Sequence, residues 1–178
     1  HGDFGIGTFD ALDGEMVGLD GKFYQVKSDG KAYPVRGWVQ TPFASVGYFV
    51  PDQTATLKAG MNYDQVQTYL DEFLPNKNTC YGIRIEGTFR YIQTRSVPRQ
   101  NRPYPRLVEV VKHQPTFEFR DVRGTIVGFR LPQFLNGVNV AGYHFHFLTA
   151  DRSAGGHLLK CEITEATVQV CTFDELHL

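Results

Sequence analysis

The sequence has 178 residues, of which 42% are hydrophobic and 13% aromatic, a composition that predicts a folded, strand-rich protein rather than a disordered one. Its formal net charge is -1, and the acidic and basic residues are interspersed, so the chain lacks the basic field needed to bind nucleic acid. No apolar run approaches the roughly 20 residues of a membrane span, and the first residues lack the zones of a signal peptide, so we expect no membrane partner.

The first predicted elements form a β-hairpin. Residues 15–19 and 22–26 have strand patterns and flank Asp20 and Gly21, a pair suited to the positive φ angles of a two-residue turn. Asn62 and Gln65 then predict a capped helix that continues at helical spacing until Pro75. Residues 83–91 predict a pair of short strands, one before Gly87 and one after it.

A second, shorter helix is predicted from Pro105 to about His113, where Pro115 prevents its continuation. Beyond it the chain returns to strands, at residues 116–120, 124–130, 140–148, 157–163 and 166–173. The pattern predicts an α+β or mixed α/β protein that is rich in sheet and has few helices. Residues 1–178 are expected to form one unit, either undivided or as two closely packed lobes of about 1–115 and 116–178.

Three histidines are the most informative feature. Side chains alternate along a strand, so His144 and His146 project from one face while the aromatic residues between and beside them pack on the other. The polar, glycine-containing stretch 151–156 predicts a loop that returns the chain beside that strand and brings in His157. Three neutral imidazoles with an open position are typical of a catalytic zinc, whereas structural zinc usually has four protein ligands.

The histidine pattern also leaves other interpretations open. An H-x-H pair on its own is common, and its members are often ordinary strand residues. Cupin-like sites share the pair but need a glutamate a few residues later, which residues 147–150 do not supply. Cys80, Cys161 and Cys171 form no metal-binding pair or disulfide framework, so we interpret them as inert thiols. They favour a reducing compartment, the cytoplasm, with secretion after signal removal still open.

Longer segments carry a family resemblance. They are GIGTFDALDGEMVGLDGKFYQ near the start, TRSVPRQNRPYPRLVEVVKHQP in the middle, RGTIVGFRLPQFLNGVNVAGYHFHFLTADRSAGGH after it, and FDELHL at the end. The sequence resembles the alpha-acetolactate decarboxylases over nearly its whole length. The resemblance implies a two-lobed α/β arrangement of mixed β-sheets that commonly dimerises, with zinc bound by His144, His146 and His157.

The same resemblance implies further site residues, contributed partly by the N-terminal segment. Glu15, in the L-D-G-E turn, and Arg95, in the R-S-x-P-x-Q segment, match family catalytic residues, and Thr8 matches a substrate-binding position. From the residues alone, Glu15 could equally be a solvated strand residue, and Arg95 could not be chosen from its arginine neighbours. The family also uses a carboxylate from an acidic tail, for which the sequence up to Leu178 offers no match.

The implied activity is decarboxylation of 2-acetolactate to acetoin and carbon dioxide, through an enediolate stabilised by the metal. Arg95 would hold the carboxylate or the developing charge, and Glu15 would protonate carbon. Three alternatives stay open: another three-histidine zinc lyase or hydrolase, a noncatalytic ligand-binding β protein, and a cupin-like oxygenase that would prefer iron.

Overall fold

Ten β-strands and one α-helix make up most of the regular structure of residues 2–103, 114–175 and 177, which are the residues that this computed structural model describes. The helix predicted from Pro105 to about His113 lies outside those residues. Within the described ranges, no helix has the length and hydropathy that crossing a bilayer requires.

The first sheet contains five antiparallel strands in the order β4-β3-β2-β1-β5. Their bounds are β1 Phe4–Thr8, β2 Glu15–Leu19, β3 Lys22–Val26, β4 Ala32–Pro34 and β5 Phe43–Gly47. The predicted hairpin is confirmed as β2 and β3, and Asp20 and Gly21 have φ angles of 54° and 74°. Both central residues of the turn therefore adopt the left-handed backbone that this tight connection demands.

The second sheet contains five strands in the order β6-β10-β7-β8-β9. Their bounds are β6 Gln53–Leu57, β7 Cys80–Arg95, β8 Thr116–Leu131, β9 Gly142–Thr149 and β10 Gly155–Phe173. The first residues of β10 also pair with β9, so β10, β7, β8 and β9 close into a ring. The prediction of a sheet-rich protein with few helices is confirmed.

Several predicted strand breaks are wrong. Residues 116–120 and 124–130 belong to one strand, β8, residues 157–163 and 166–173 belong to β10, and the predicted pair around Gly87 is the continuous strand β7. Gly87 lies opposite Gly124 on one side and Ala166 on the other, and a Cβ on Gly87 would collide with the β10 backbone. The small residues therefore mark a close approach of three strands rather than turns.

The predicted capped helix is confirmed as α1, Tyr63–Phe73. Asn62 accepts a hydrogen bond from the Gln65 amide, and the Gln65 side chain accepts one from the Asn62 amide, which completes a capping box. Val66 and Leu70 are buried against one face of the second sheet. The helix thus covers that face and leaves the other face free to pack elsewhere.

The opposite face of the second sheet packs against the first sheet. Alternate residues of β8 and β9 divide between two cores: Phe145 and Phe147 join the cluster under α1, whereas Leu148 joins a cluster with Val17 and Val26 of the first sheet. His144 and His146 share the side of β9 on which Leu148 lies, because side chains alternate along a strand. The histidines therefore lie between the two sheets.

Candidate active site

The structure brings the three predicted histidines together. His146 of β9 and His157 of β10 are directly opposite each other in the strand register. The His144 Nε2 atom lies 3.2 Å from His157 Nδ1, and one nitrogen of each of the three rings lies within 4.8 Å of the others. The predicted face of β9 and the predicted return of the chain at His157 thus have the expected geometry.

A backbone carbonyl fixes the tautomer of His146. The Met16 carbonyl oxygen, in β2 of the first sheet, is 2.7 Å from His146 Nδ1 and accepts the proton on that nitrogen. The Nε2 atom then carries a lone pair, and it has no hydrogen-bond partner among the described residues although it is buried. A buried imidazole oriented in this way is typical of a metal ligand.

All three imidazoles are neutral near pH 7. Burial, followed by the positive charge of Arg95, lowers the pKa of His144 to about 4. Burial, then His144, then Arg95 lower the pKa of His157 to about 3. The pKa of His146 is also well below its usual value, chiefly because the ring is fully buried. Neutral nitrogens with free lone pairs are the form that binds a metal.

These residues fit a zinc ion. Zinc binds imidazole nitrogens at about 2.0–2.1 Å, so two nitrogens of a tetrahedral site are about 3.3 Å apart. The observed 3.2 Å between the His144 and His157 nitrogens matches that spacing. The unpartnered His146 Nε2 would supply the third ligand, and a three-histidine set would leave a coordination position open.

Glu15 is buried beside the histidines. Its Oε2 atom lies 3.4 Å from His146 Nε2, and the residue is only 7% exposed. Burial raises the pKa of Glu15 to about 8, against the opposing charge of Arg95. The carboxyl group therefore retains its proton near neutral pH, unlike the solvated strand residue that is the commoner fate of a glutamate.

A strained turn leads into Glu15. Ala11 and Leu12 both have left-handed backbone, with φ angles of 60° and 56°, which is costly for residues other than glycine. The turn is held by Thr8, whose hydroxyl donates to the Gly14 carbonyl at 2.7 Å, and Thr8 lies opposite Glu15 in the register. Thr8 thus lies beside Glu15, and its hydroxyl proton is already engaged in the hydrogen bond to Gly14.

Arg95 ends β7 on the same row as the histidines. It lies opposite His157 on one side and Thr116 on the other, so the row His146, His157, Arg95, Thr116 crosses four strands. Its charge affects the pKa of Glu15 and of all three histidines, which places it near each of them. Its Nε atom is buried and has no partner among the described residues.

Sequence reasoning missed the part played by Met16. Its contribution is a main-chain oxygen, and a backbone contact between two distant strands leaves no trace in residue identity. The turn at Ala11 and Leu12 was missed for a similar reason, because neither residue type is typical of left-handed backbone.

A cavity of about 1010 Å³ lies apart from the histidines. Its lining includes Phe23 and Val46 of the first sheet, Tyr48 just after β5, and Met16, but none of the three histidines, Glu15 or Arg95. Adjacent side chains on a strand point to opposite faces, so Met16 faces this cavity while Glu15 faces the histidines. The cavity and the candidate site therefore lie on opposite sides of β2.

Comparison with known proteins decides the family. The family model described as alpha-acetolactate decarboxylase matches residues 1–178. The chain belongs to the alpha-acetolactate decarboxylase family. The alpha-acetolactate decarboxylase of Methanosarcina mazei is 53% identical over 163 residues, which cover 92% of this chain and 57% of that protein. The one from Bacillus licheniformis is 49% identical over 170 residues, 96% of this chain and 67% of that protein.

A solved member of the family has the same fold. The crystal structure of alpha-acetolactate decarboxylase from Bacillus subtilis strain 168 superposes with a TM-score of 0.95 at 46% identity, covering 97% of this chain and 74% of that one. The chain spans 57% to 67% of the length of the first three curated relatives in this family.

Proposed function

We propose that this chain decarboxylates 2-acetolactate, 2-hydroxy-2-methyl-3-oxobutanoate, to acetoin and carbon dioxide with one zinc ion bound by His144, His146 and His157. The observation that carries the proposal is the convergence of three neutral imidazoles with a buried carboxyl group and an arginine in a chain of this family. Relatives bearing the name alpha-acetolactate decarboxylase match over more than nine-tenths of the chain.

A zinc ion bound there would supply a Lewis acid for the substrate's ketone and hydroxyl oxygens. Loss of carbon dioxide leaves an electron pair that must be delocalised into the adjacent ketone, as an enediolate. Arg95 binds the departing carboxylate through its charged donors, and its unpartnered Nε suits an oxygen ligand. The burial of the site excludes water, which strengthens each of these interactions.

Glu15 gives the proton that the reaction needs. Its carboxyl oxygen lies 3.4 Å from His146 Nε2, the nitrogen that we propose binds zinc, and it is therefore within reach of substrate held at that position. The proton goes to the carbon that lost carbon dioxide, and delivery from one side fixes the configuration of acetoin. Thr8 lines the substrate site next to Glu15, where its hydroxyl oxygen accepts a hydrogen bond from the substrate while donating to Gly14.

The test is to incubate the purified chain with racemic acetolactate and to assay acetoin with and without a chelator. We expect acetoin to form and the chain to bind about one zinc ion. Chelation should abolish the activity, and added zinc should restore it. Full activity in metal-free protein would contradict the proposal. Zinc-dependent ester hydrolysis without acetolactate turnover would indicate a hydrolase. Bound iron would indicate an oxygenase, and a metal-free, inactive chain would indicate a noncatalytic binding protein.

Replacement of a histidine tests the metal site directly. His144→Ala should lose both zinc and turnover, because two imidazoles are a poor zinc site. Its circular dichroism should match the wild type, since the metal is catalytic and the sheets have their own hydrophobic core. His177→Ala is the matched control, because His177 is exposed and contacts only Glu175 among the described residues.

We also propose that the chain forms a homodimer in the cytoplasm. β5 ends the first sheet, and its outer edge pairs with no other strand among the described residues. Val46, Tyr48 and Val50 beside this edge are 39%, 64% and 73% exposed, an apolar surface that a second copy would cover. The three cysteines are free, as suits a reducing compartment.

A further inference from the structure

Buried polar atoms without hydrogen-bond partners mark the places where a ligand would complete the structure. Among the described residues, these atoms belong to Arg84, Arg152, Arg95, His146 and Gln114. Arg84 and Arg152 both form ion pairs with Asp20, so their spare nitrogens belong to a surface ion cluster. Arg95 and His146 belong to the candidate active site. Gln114 belongs to neither group, yet both its amide nitrogen and its carbonyl oxygen are buried and unpartnered.

The strand register places Gln114 near Arg95. β7 and β8 pair Arg95 with Thr116, and the Ser96 amide donates to the Pro115 carbonyl at 3.2 Å, which extends the pairing by one position. Gln114 is the next residue, two positions from Thr116, which lies opposite Arg95; a long side chain can span this diagonal separation. The Val97 carbonyl in turn accepts a hydrogen bond from Gly14, at the end of the turn that leads into Glu15.

We propose that Gln114 is a substrate-binding residue whose side-chain amide, beside Arg95, binds the carboxylate and hydroxyl groups of a 2-hydroxy acid. This inference rests on the proposed function for the identity of the substrate. The amide has two N–H donors for carboxylate oxygen and one carbonyl acceptor for the hydroxyl proton. A 2-hydroxy acid presents these groups on adjacent carbons, so one glutamine side chain binds both. The amide nitrogen and carbonyl oxygen of Gln114 then gain the hydrogen-bond partners that they lack.

A neutral amide suits a carboxylate that must leave as carbon dioxide. Donors that bind the charged ground state more tightly than the transition state slow the reaction, since the carboxylate loses its charge as the carbon–carbon bond breaks. Arg95 already provides one full positive charge. Gln114 therefore orients the carboxylate without adding a second positive charge, whose attraction to the carboxylate would be lost in the transition state.

Direct binding measurements test this role without relying on turnover. Zinc-loaded wild type, Gln114→Met and Gln114→Glu are titrated calorimetrically with 2-hydroxy-2-methylpropanoate, which lacks the ketone and does not react, and with acetoin, which lacks the carboxylate. For Gln114→Met we expect about 10- to 100-fold weaker binding of the hydroxy acid and a change in acetoin binding of less than about threefold. Gln114→Glu should bind the hydroxy acid more weakly still, because it adds a negative charge.

A stability measurement and a matched control complete the test. Gln114→Met should melt at or above the wild-type temperature, since it removes an unpartnered amide and nearly keeps its shape. Gln93→Leu is the control, because the Gln93 amide donates to Glu118 at the exposed surface, and its hydroxy acid affinity should equal that of wild type. A buried structural role would instead lower the melting temperature of both Gln114 variants.

Three results would overturn the inference: no hydroxy acid binding to wild type, unchanged hydroxy acid binding in both Gln114 variants, or equal losses for the hydroxy acid and acetoin. Failure of the proposed function looks different. Wild type would then form no acetoin from acetolactate, and the binding comparison between Gln114→Met and wild type would still report on Gln114.

Discussion

Arg95 differs from the other described arginines of β7 in its surroundings. Arg84 forms ion pairs with Asp20 and Glu86, and Arg90 forms one with Glu162, whereas no carboxylate of the described residues lies within ion-pair distance of Arg95. Its charge instead acts on Glu15 and the histidines. An arginine kept free of carboxylates in a buried site is available to a substrate anion.

Arg95→Lys tests that availability. Lysine keeps the charge but loses the planar fork that binds two oxygens at once, so turnover should fall by about 10²-fold or more with zinc content unchanged. Steady-state assays and metal analysis check this. Arg90→Lys, at an exposed ion pair, should behave as wild type. Normal kinetics in Arg95→Lys together with an impaired Arg99→Lys would assign the role to Arg99.

Glu15→Gln tests the proton donor. The amide nearly preserves size but has no transferable proton, so turnover should drop by roughly 10²- to 10⁴-fold while zinc stays bound. Residual acetoin should lose enantiomeric purity, because solvent then supplies the proton, and chiral chromatography measures that loss. Reduced turnover with unchanged enantiomeric excess would mean that Glu15 positions substrate and does not protonate it.

At the scale of elements, local patterns were sufficient for the hairpin, the capped helix and the histidine strand. β2, β3 and α1 begin and end within a residue or two of their predicted bounds, because Asp20-Gly21 and Asn62 determine backbone geometry locally. The convergence of His144, His146 and His157 was predictable for the same reason, since alternation and one short loop are local properties.

The remaining elements depend on partners that are distant in sequence. β1, FGIGT, was not predicted because glycine weakens a strand pattern, yet a Cβ on Gly5 would approach the Ser45 carbonyl oxygen of β5 at 2.6 Å. The break placed in β7 has the same origin at Gly87, whereas the break placed in β8 coincides with the positive φ of Asp121, and the break placed in β10 coincides with a shift of register between Ile163 and Glu165. Glu15 and Arg95 were selected only by family resemblance, because their neighbours in the site come from other strands.

The start of β10 offers a prediction for an element. Gly156 has a φ of 133°, and a Cβ there would lie 2.5 Å from the Arg95 carbonyl oxygen, so Gly156→Ala should push β10 away from β7 and shift His157. We expect a loss of more than about 1 kcal/mol of unfolding free energy and about 10- to 100-fold weaker zinc binding. Denaturant unfolding and zinc titration measure the two effects.

Gly137→Ala is the matched control for that substitution. Gly137 also has a positive φ, 92°, but a Cβ there would meet no atom within 4 Å. It should therefore lose some stability through its backbone alone and keep wild-type zinc affinity. Equal zinc affinities in Gly156→Ala and wild type would show that His157 does not depend on the close approach of β10 to β7.

At the scale of the whole molecule, the two sheets share one core and one site. Phe4 and Ile6 of the first sheet are buried in the same cluster as Phe129 and Leu131 of the second, and Glu15 and His146 meet across the interface. We propose on this basis that residues 1–178 unfold as one unit rather than as two independent domains.

The proposed homodimer gives a prediction at this scale. A single chain has a mass of 20.1 kDa, so sedimentation of wild type should report about twice that value. The double variant Val46→Lys, Val50→Lys should sediment as a monomer, because two lysines on each copy would have to be buried at the shared edge. Thr164→Lys, exposed on β10 of the second sheet, adds a lysine elsewhere and should stay dimeric. A monomeric wild type would contradict the proposal.

The spacing of the site residues along the chain sets the order in which the site is assembled during folding. His144 and His157 are 13 positions apart, on a hairpin whose loop closes at small entropic cost, whereas His146 and its carbonyl partner on Met16 are 130 positions apart. Contacts with short sequence separation form early, and the long-range sheet pairing forms late. We therefore expect a partly folded chain to bring His144 and His157 together before Met16 fixes the His146 tautomer and before Glu15 arrives. The proposed zinc would then be captured before the proposed active site is complete.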